Sequence, residues 1–203
     1  MKVSETFVSL QGEGLNQGKP CFFLRLAGCN LRCAWCDTEY SFEKGEEKSV
    51  DEIVKEISES GLSYVCITGG EPLLQKKELL PLLEILSAAK ISVDIETNGT
   101  IPFSELNRFA SICMDVKCPS SCEVSDLSLL SSLQKSDCVK FVIGDEADYM
   151  YMVEVLASAE DLKAQVCITP VYGTETKWLV ETIISEKLPV RFQLQLHKEL
   201  DVK

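Results

Sequence analysis

The stretch CFFLRLAGCNLRCAWC, residues 21–36, contains an apolar run followed at once by three closely spaced cysteines. The run Cys21–Ala27 is rich in residues that favour strands and predicts a buried β-strand. Cys29, Cys33 and Cys36 follow it with the spacing C-x3-C-x2-C. Because parallel α/β proteins carry their functional loops at the carboxyl ends of strands, we expect the cysteines to lie at such an end.

Three thiolates on one tight loop suit a four-iron cluster whose fourth iron has no protein ligand and is open to a small molecule. Two alternatives stay open. A structural zinc site needs four Cys or His ligands, so the fourth would be Cys21 or a distant thiol. A thiol-redox pair would use Cys33 and Cys36 and leave Cys29 spare.

Length and composition are those of an ordinary globular protein. The 203 residues are 45% hydrophobic and 26% charged, and we expect a single domain over residues 1–203. The amino terminus has no basic region followed by an apolar core, and no apolar run approaches the roughly 20 residues that span a bilayer. We therefore expect a cytoplasmic protein with no membrane partner, whose ten cysteines serve metal or redox chemistry.

The formal net charge is −12, and no cluster of lysines or arginines is visible. A nucleic acid needs a basic surface, so we expect no nucleic-acid partner. A small anionic substrate remains compatible with this charge if a cation is placed locally. Arg25 is the obvious candidate.

Short β-branched runs alternate with helical patterns, which predicts an α/β fold with mainly parallel strands. An additional edge strand is predicted at Val3–Ser9. The predicted parallel strands are Cys21–Ala27, Tyr64–Thr68, Ser92–Glu96, Ile112–Val116, Val139–Ile143, Gln165–Thr169 and Val190–Leu196.

Four helices are predicted between these strands. Ser49 and Glu52 form a capping-box pattern, and Gly61 suits the end of the helix that follows. A second helix, Glu78–Lys90, tolerates Pro81 only near its first turn. The others cover Glu146–Ala159 and Glu175–Glu186, and the stretches after Glu96 and Val116 are expected to be irregular or only briefly helical.

This pattern predicts an incomplete, TIM-like barrel of about six parallel strands with a reduced set of helices. Five loops should then meet at one rim: the cysteine loop and the segments 68–72, 96–100, 115–117 and 169–170. Within the second of these, Gly69 and Gly70 expose bare backbone that a ligand can approach closely. The alternative for this pair is an ordinary turn.

The cysteine triplet, the aromatic Trp35 and the segment Gly69-Gly70-Glu71-Pro72 together resemble the radical S-adenosylmethionine superfamily. The resemblance implies a 4Fe–4S cluster held by three cysteines, with the methionine part of S-adenosylmethionine on the fourth iron. It also implies that Gly70 contacts the methionine and that Trp35 packs near the adenine.

Four further motifs resemble one family within that superfamily, the 7-carboxy-7-deazaguanine synthases. They are LQGEG at 10–14, RLAGCNL at 25–31, CDT at 36–38 and QLQLHK at 193–198. The resemblance implies a lyase that converts 6-carboxy-5,6,7,8-tetrahydropterin to 7-carboxy-7-deazaguanine with loss of ammonia, on the route to queuosine and archaeosine. It also implies a need for Mg²⁺.

The same resemblance assigns site residues. Glu and Gln side chains match the donor edge of an aminopyrimidinone, and Arg25 can pair with a carboxylate. The implied substrate-binding residues are Leu10, Gln11, Gly12, Glu13, Arg25, Thr68 and His197. The implied cofactor-binding residues are Trp35, Cys36, Asp37, Gly70, Asp115, Val116, Lys117 and Thr169. The implied metal ligands are Cys29, Cys33 and Cys36 for iron and Thr38 for Mg²⁺.

Several of these residues have a simpler interpretation. Gln11–Gly14 and Thr38 would suit plain turns, Arg25 a surface charge, and His197 a solvated tail. Asp37 is an alternative magnesium ligand to Thr38. The chain departs from the family pattern at Asp115-Val116, where a small polar residue and proline are more common.

The remaining cysteines have no assigned role. Cys118 and Cys122 have the spacing of a further metal site, although buried thiols commonly act as small apolar side chains. As partners we expect a pterin substrate, an electron donor such as flavodoxin, and a second copy in a homodimer. Two other functions stay open: a glycyl-radical-activating enzyme and a non-enzymatic zinc-binding module.

Overall fold

The computed structural model describes residues 1–159 and 161–203. Within them, nine strands form one sheet. They are β1 (Lys2–Leu10), β2 (Pro20–Leu26), β3 (Glu46–Glu47), β4 (Tyr64–Gly69), β5 (Ser92–Thr97), β6 (Ser111–Val116), β7 (Cys138–Ile143), β8 (Gln165–Pro170) and β9 (Arg191–Phe192). Their order across the sheet is β3-β1-β2-β4-β5-β6-β7-β8-β9.

The sheet is parallel from β2 through β9, whereas β1 pairs antiparallel with β2 and β3. In the described residues β3 and β9 do not pair with each other, so the barrel stays open. The predicted partial α/β barrel is therefore confirmed. It has seven parallel strands, of which the last contains only two residues.

Five α-helices accompany the strands in the described chain. They are α1 (Val50–Ser60), α2 (Lys76–Ala88), α3 (Glu146–Ser158), α4 (Lys177–Glu186) and α5 (Leu196–Glu199). The predicted capping box is present: the Glu52 amide donates to Ser49 Oγ at 3.2 Å, and the Ser49 amide donates to Glu52 Oε2 at 2.7 Å. The helix ends at Gly61, whose φ of 69° is left-handed.

Local details differ from the prediction at three places. The predicted strand Val190–Leu196 is reduced to β9. The Gln193 backbone amide still donates to Ile168 O of β8, but the Gln193 side chain and the Leu196 amide bond to the loop after β1. Pro81 lies in the second turn of α2, because this helix begins directly after the 3₁₀ turn Pro72–Gln75. β1 is not the edge strand, because β3 pairs outside it. The connections after β5 and β6 contain only 3₁₀ turns, as predicted.

Successive strand residues point to opposite faces of the sheet, and the two faces differ in chemistry. Fully buried aliphatic and aromatic side chains such as Leu24, Ile67 and Phe141 form the core between sheet and helices. Arg25 and Lys140, the sequence neighbours of Leu24 and Phe141, point to the other face and line a cavity there. The fold thus gathers polar side chains on the inner surface of the half-barrel.

Candidate active site

A cavity of about 610 Å³ opens where the parallel strands end. Most of the residues that the sequence assigns to the site line it. They are Leu10, Gln11, Gly12, Glu13, Arg25, Cys29, Cys33, Trp35, Cys36, Asp37, Thr38, Thr68, Gly70, Asp115, Lys117 and His197. The volume is within the range that binds small molecules and cofactors.

The cysteine loop forms one wall of this cavity. Cys29, Cys33 and Cys36 are free thiols, partly buried and turned to the same space. Burial raises the pKa of Cys33 and Cys36, so both are protonated thiols near neutral pH until a metal displaces the protons. Cys21 lies fully buried at the other end of β2 against Phe7, Phe23, Tyr64 and Cys66, so it cannot complete a zinc site with this loop.

The glycine pair after β4 lies directly against the cysteine loop. A Cβ on Gly70 would stand 2.4 Å from Gly28 O and 2.6 Å from Cys29 Cβ. A Cβ on Gly69, whose φ is 155°, would stand 2.3 Å from Leu26 O. Only glycine allows this approach, so the two loops share one surface.

Trp35, in the same loop, is held by residues that follow β6. Its Nε1 donates to Ser120 Oγ at 3.1 Å, and Lys117 Nζ lies 5.4 Å from the ring centroid. Lys117 in turn pairs with Asp115 at 3.0 Å. The aromatic face and this ion pair form a half-polar pocket beside the thiols.

Arg25 projects into the cavity rather than into solvent, and 17% of its side chain is exposed. Its Nε donates to Glu5 Oε1 at 3.0 Å, and Tyr40 OH donates to the same oxygen at 2.7 Å. Burial opposes ionisation of Glu5, but hydrogen bonds from Lys203, Tyr40 and Arg25 lower its pKa. Glu5 therefore orients Arg25, and the guanidinium can still receive an anionic ligand.

The loop Gln11–Gly14 forms a second wall, and the carboxyl-terminal tail holds it in place. Gln193 Nε2 donates to Gly14 O at 2.7 Å, and the Gly14 amide donates to Gln193 Oε1 at 3.1 Å. A Cβ on residue 12 would stand 2.6 Å from His197 Nδ1. Glycine at position 12 therefore leaves room for His197. Burial lowers the pKa of His197, which favours the neutral ring.

Asp37 and Thr38 connect the cysteine loop to the tail. Thr38 Oγ1 donates to Asp37 Oδ1 at 2.8 Å, and Lys198 Nζ pairs with Asp37 Oδ2 at 2.7 Å. Burial alone raises the pKa of Asp37, but the contacts with Lys198 lower it to about 2. A hydroxyl and a permanent carboxylate thus lie side by side at the cavity mouth.

Two assigned side chains do not line the cavity. Val116 alternates onto the helix face and is fully buried in the core. Thr169 is also fully buried. The cavity is lined instead by Val142, which is the register partner of Thr169 on β7, and by Val171. That Val116 and Thr169 contact the cofactor stays a prediction.

Sequence reasoning missed Glu5, Glu96, Lys140 and Gln195, all of which line the cavity. Glu96 accepts a hydrogen bond from Thr68 Oγ1 at 3.2 Å, and burial raises its pKa. Lys140 is a single charge inside an otherwise apolar strand, which is a signal that the sequence did contain.

The second metal site suggested for Cys118 and Cys122 is not formed. Cys118 is fully buried in the core, whereas Cys122 is exposed in a left-handed turn. Across the described residues, no three His, Cys, Asp or Glu side chains are arranged to hold a single metal ion. Nor does this part of the chain contain a helix with the length and apolarity needed to cross a bilayer.

Comparisons with known proteins agree with this geometry. Residues 24–183 match the radical SAM superfamily model. A 7-carboxy-7-deazaguanine synthase from Methanospirillum hungatei is 52% identical over 198 residues, which cover 98% of this chain and 84% of the relative. The Escherichia coli enzyme of the same name is 30% identical, with 98% of both chains covered.

Solved structures give the same result. A crystal structure of QueE from Escherichia coli superposes with a TM-score of 0.80 at 27% identity and covers 96% of this chain and 93% of that one. The chain therefore belongs to the radical SAM superfamily and, within it, to the 7-carboxy-7-deazaguanine synthase family.

Proposed function

We propose that this radical SAM lyase converts 6-carboxy-5,6,7,8-tetrahydropterin to 7-carboxy-7-deazaguanine with loss of ammonia, and that the residues of the cavity divide that task. The observation that carries the proposal is one cavity lined by both the cysteine loop and the Gln11–Gly14 loop. Relatives that carry the name 7-carboxy-7-deazaguanine synthase cover nearly the whole chain.

The cysteine loop fits a 4Fe–4S cluster. Three thiols face one space, and the Leu31 amide lies 3.5 Å from Cys29 Sγ, as amides around cluster sulfurs do. Cys29, Cys33 and Cys36 would hold three irons. When bound and reduced, such a cluster supplies the electron that cleaves the sulfonium of S-adenosylmethionine.

The neighbouring residues suit S-adenosylmethionine. Gly70 exposes backbone beside Cys29, where the methionine would lie, and the Trp35 ring offers a flat surface for the adenine. Asp115 has one oxygen paired with Lys117 and a second, buried oxygen with no partner in the described chain, which can accept from a ligand hydroxyl. Cys36, Asp37 and Lys117 complete this side, and Val116 would contribute backbone only.

The part of the cavity around the Gln11–Gly14 loop suits the pterin. Gln11 and Glu13 present acceptors and donors to an aminopyrimidinone ring, and Arg25 would pair with the substrate carboxylate. Leu10, Gly12, Thr68 and His197 surround the same space. The residues thereby hold the ring in one orientation toward the cofactor and exclude water from the reacting carbon.

Thr38 and Asp37 fit a magnesium ion, which prefers oxygen ligands and keeps several waters. Thr38 would bind the ion through its hydroxyl, and the substrate carboxylate would share it. Asp37 lies beside Thr38 as the alternative ligand, and its two oxygens accept bonds from Thr38 and Lys198.

Anaerobic turnover tests the proposal. The purified chain, reconstituted with iron and sulfide, is incubated with S-adenosylmethionine, reductant, magnesium and the carboxytetrahydropterin, and the products are analysed by mass spectrometry. We expect 7-carboxy-7-deazaguanine and ammonia. Cleavage of S-adenosylmethionine without any change in the pterin would contradict the substrate assignment.

The same experiment separates the other functions. A glycyl-radical-activating enzyme would need a protein partner, and a zinc-binding module would be colourless after anaerobic purification. That residues 1–203 form one domain, that the enzyme is a cytoplasmic homodimer, that a flavodoxin supplies its electron, and that nucleic acids and membranes are not partners stay predictions.

A further inference from the structure

A buried lysine lies between the two sides of the cavity. Lys140, on β7, has 8% of its side chain exposed; its ammonium contacts Glu13 Oε2 and lies 3.4 Å from Asp115 Oδ2. Glu13 comes from the loop after β1, 127 residues earlier in the chain. Taking an ammonium out of water is costly unless it is paired, so this contact is required by the burial of Lys140.

The groups around Lys140 keep it charged. Glu13, Asp115, Glu96 and Cys113 face it from the neighbouring loop and strands. Burial alone lowers the pKa of Lys140, but the three carboxylates raise it well above its usual value.

Of these carboxylates, Glu13 depends most on Lys140. Asp115 has a nearer cation in Lys117, at 3.0 Å. Among the described residues, Lys140 is the cation that pairs with Glu13. The other oxygen of Glu13, Oε1, accepts from Gln195 Nε2 at 2.8 Å.

Each carboxylate oxygen can accept more than one hydrogen bond, so Glu13 held by Lys140 and Gln195 still has free lone pairs. Because Glu13 also lines the cavity, those lone pairs are available to a ligand. Two fixed, adjacent acceptors match a ring edge that presents two neighbouring N–H groups, such as the amino group and ring N–H of an aminopyrimidinone.

We propose that Lys140 is a positioning residue that holds Glu13 as an oriented acceptor for the substrate ring. It sets the affinity for substrate and leaves the radical step unchanged. This inference rests on the proposed function, because Glu13 is taken to face the pterin.

Steady-state kinetics of Lys140→Met test it. We expect the KM for the carboxytetrahydropterin to rise about 10- to 100-fold, the effect of losing a hydrogen bond to a charged group. We expect kcat to stay within about threefold and the KM for S-adenosylmethionine to be unchanged. Lys135→Met, which changes an exposed lysine just before the same strand, is the matched control and should behave like the parent.

Two results would overturn the proposal: a collapse of kcat at unchanged KM, or a higher KM for S-adenosylmethionine alone. The second would show that Lys140 acts through Asp115. Glu13→Gln and the double variant Glu13→Gln/Lys140→Met add a second test. We expect these two to share one pterin KM to within about twofold, because Lys140 then has no carboxylate to hold.

A further tenfold loss in the double variant would refute the proposal. The double variant also decides the question if Lys140→Met alone does not fold, because it leaves no unpaired carboxylate at position 13. Cleavage of S-adenosylmethionine without pterin reports on the other half of the site. A parent chain that cleaves it but never changes the pterin would refute the proposed function, and this inference with it.

Discussion

Gly70 shows how closely the glycine pair and the cysteine loop depend on each other. A methyl group there would overlap Gly28 O and Cys29 Cβ. We expect Gly70→Ala to lower the free energy of unfolding of the apoprotein by about 1–3 kcal/mol and to reduce cluster content after reconstitution. Denaturant titration and iron–sulfur absorbance measure the two effects.

Gly18→Ala is the comparison for cluster content, because its methyl group meets no atom within 4 Å. Its own cost in stability is the strain of a φ of 86°, so we expect it to keep the full cluster. Full cluster content in Gly70→Ala would show that the two loops can separate without consequence.

Arg25 offers a test of carboxylate recognition. We expect Arg25→Ala to raise the KM for the pterin by an amount equal to about 1.5–3 kcal/mol, because a charged hydrogen bond is lost. Arg25→Lys should recover part of the affinity, since it keeps the charge but not the planar fork. An unchanged KM in Arg25→Ala would leave Arg25 as a structural partner of Glu5 only.

Thr38 carries the magnesium prediction. We expect Thr38→Ala to need more magnesium for half-maximal turnover, whereas Thr38→Ser, which keeps the hydroxyl, should titrate like the parent. The measurement is activity against magnesium concentration at saturating substrate. Superimposable curves for Thr38→Ala and the parent would remove Thr38 from the metal site.

Single residues were predictable where the signal is local. The cysteine spacing and the Gly69–Gly70 pair lie within short motifs, and both line the cavity. Glu5 and Lys140 were not predicted, because their partners Arg25 and Glu13 become neighbours only when the sheet forms. The sequence shows that Lys140 interrupts an apolar strand, but it does not show which residues the lysine faces.

At the scale of elements, α1 shows how a cap sets a boundary. Ser49 and Glu52 satisfy each other's amides, and Ile53 and Ile57 are then fully buried. We expect Ser49→Ala to lower the free energy of unfolding by about 1 kcal/mol. Ser58→Ala, on the exposed side of the same helix, should change the free energy of unfolding by less than about 0.5 kcal/mol. An equal effect of the two substitutions would show that the cap does not stabilise the helix.

Strands and helices were predictable because the alternation of apolar and polar residues and the capping residues are visible in short stretches of sequence. The run 190–196 is the exception, since its apolar residues fit a strand as well as they fit a tail. This segment leaves the sheet where the side-chain amide of Gln193 bonds both backbone groups of Gly14. That contact joins positions 179 residues apart, so no local pattern could predict it.

At the scale of the whole molecule, the two ends of the chain meet. The superfamily match covers residues 24–183, and the segments outside it supply Glu13 and Gln195, which bond across the cavity. We expect a chain that ends at Phe192 to keep its cluster and to cleave S-adenosylmethionine without coupling, but to turn over no pterin. Product analysis beside 5′-deoxyadenosine release measures both, and pterin turnover at the parent rate would show that the tail is dispensable.

The proposed reaction begins only if three cysteines hold a cluster with one iron left for S-adenosylmethionine. Electron paramagnetic resonance of the reduced, anaerobic protein, recorded with and without methionine-labelled S-adenosylmethionine, tests this most directly. We predict that the cofactor changes the cluster signal and that the labelled amino and carboxylate groups couple to it. An identical signal without coupling, from a cluster whose four irons are all ligated by side chains, would refute this role of the three cysteines.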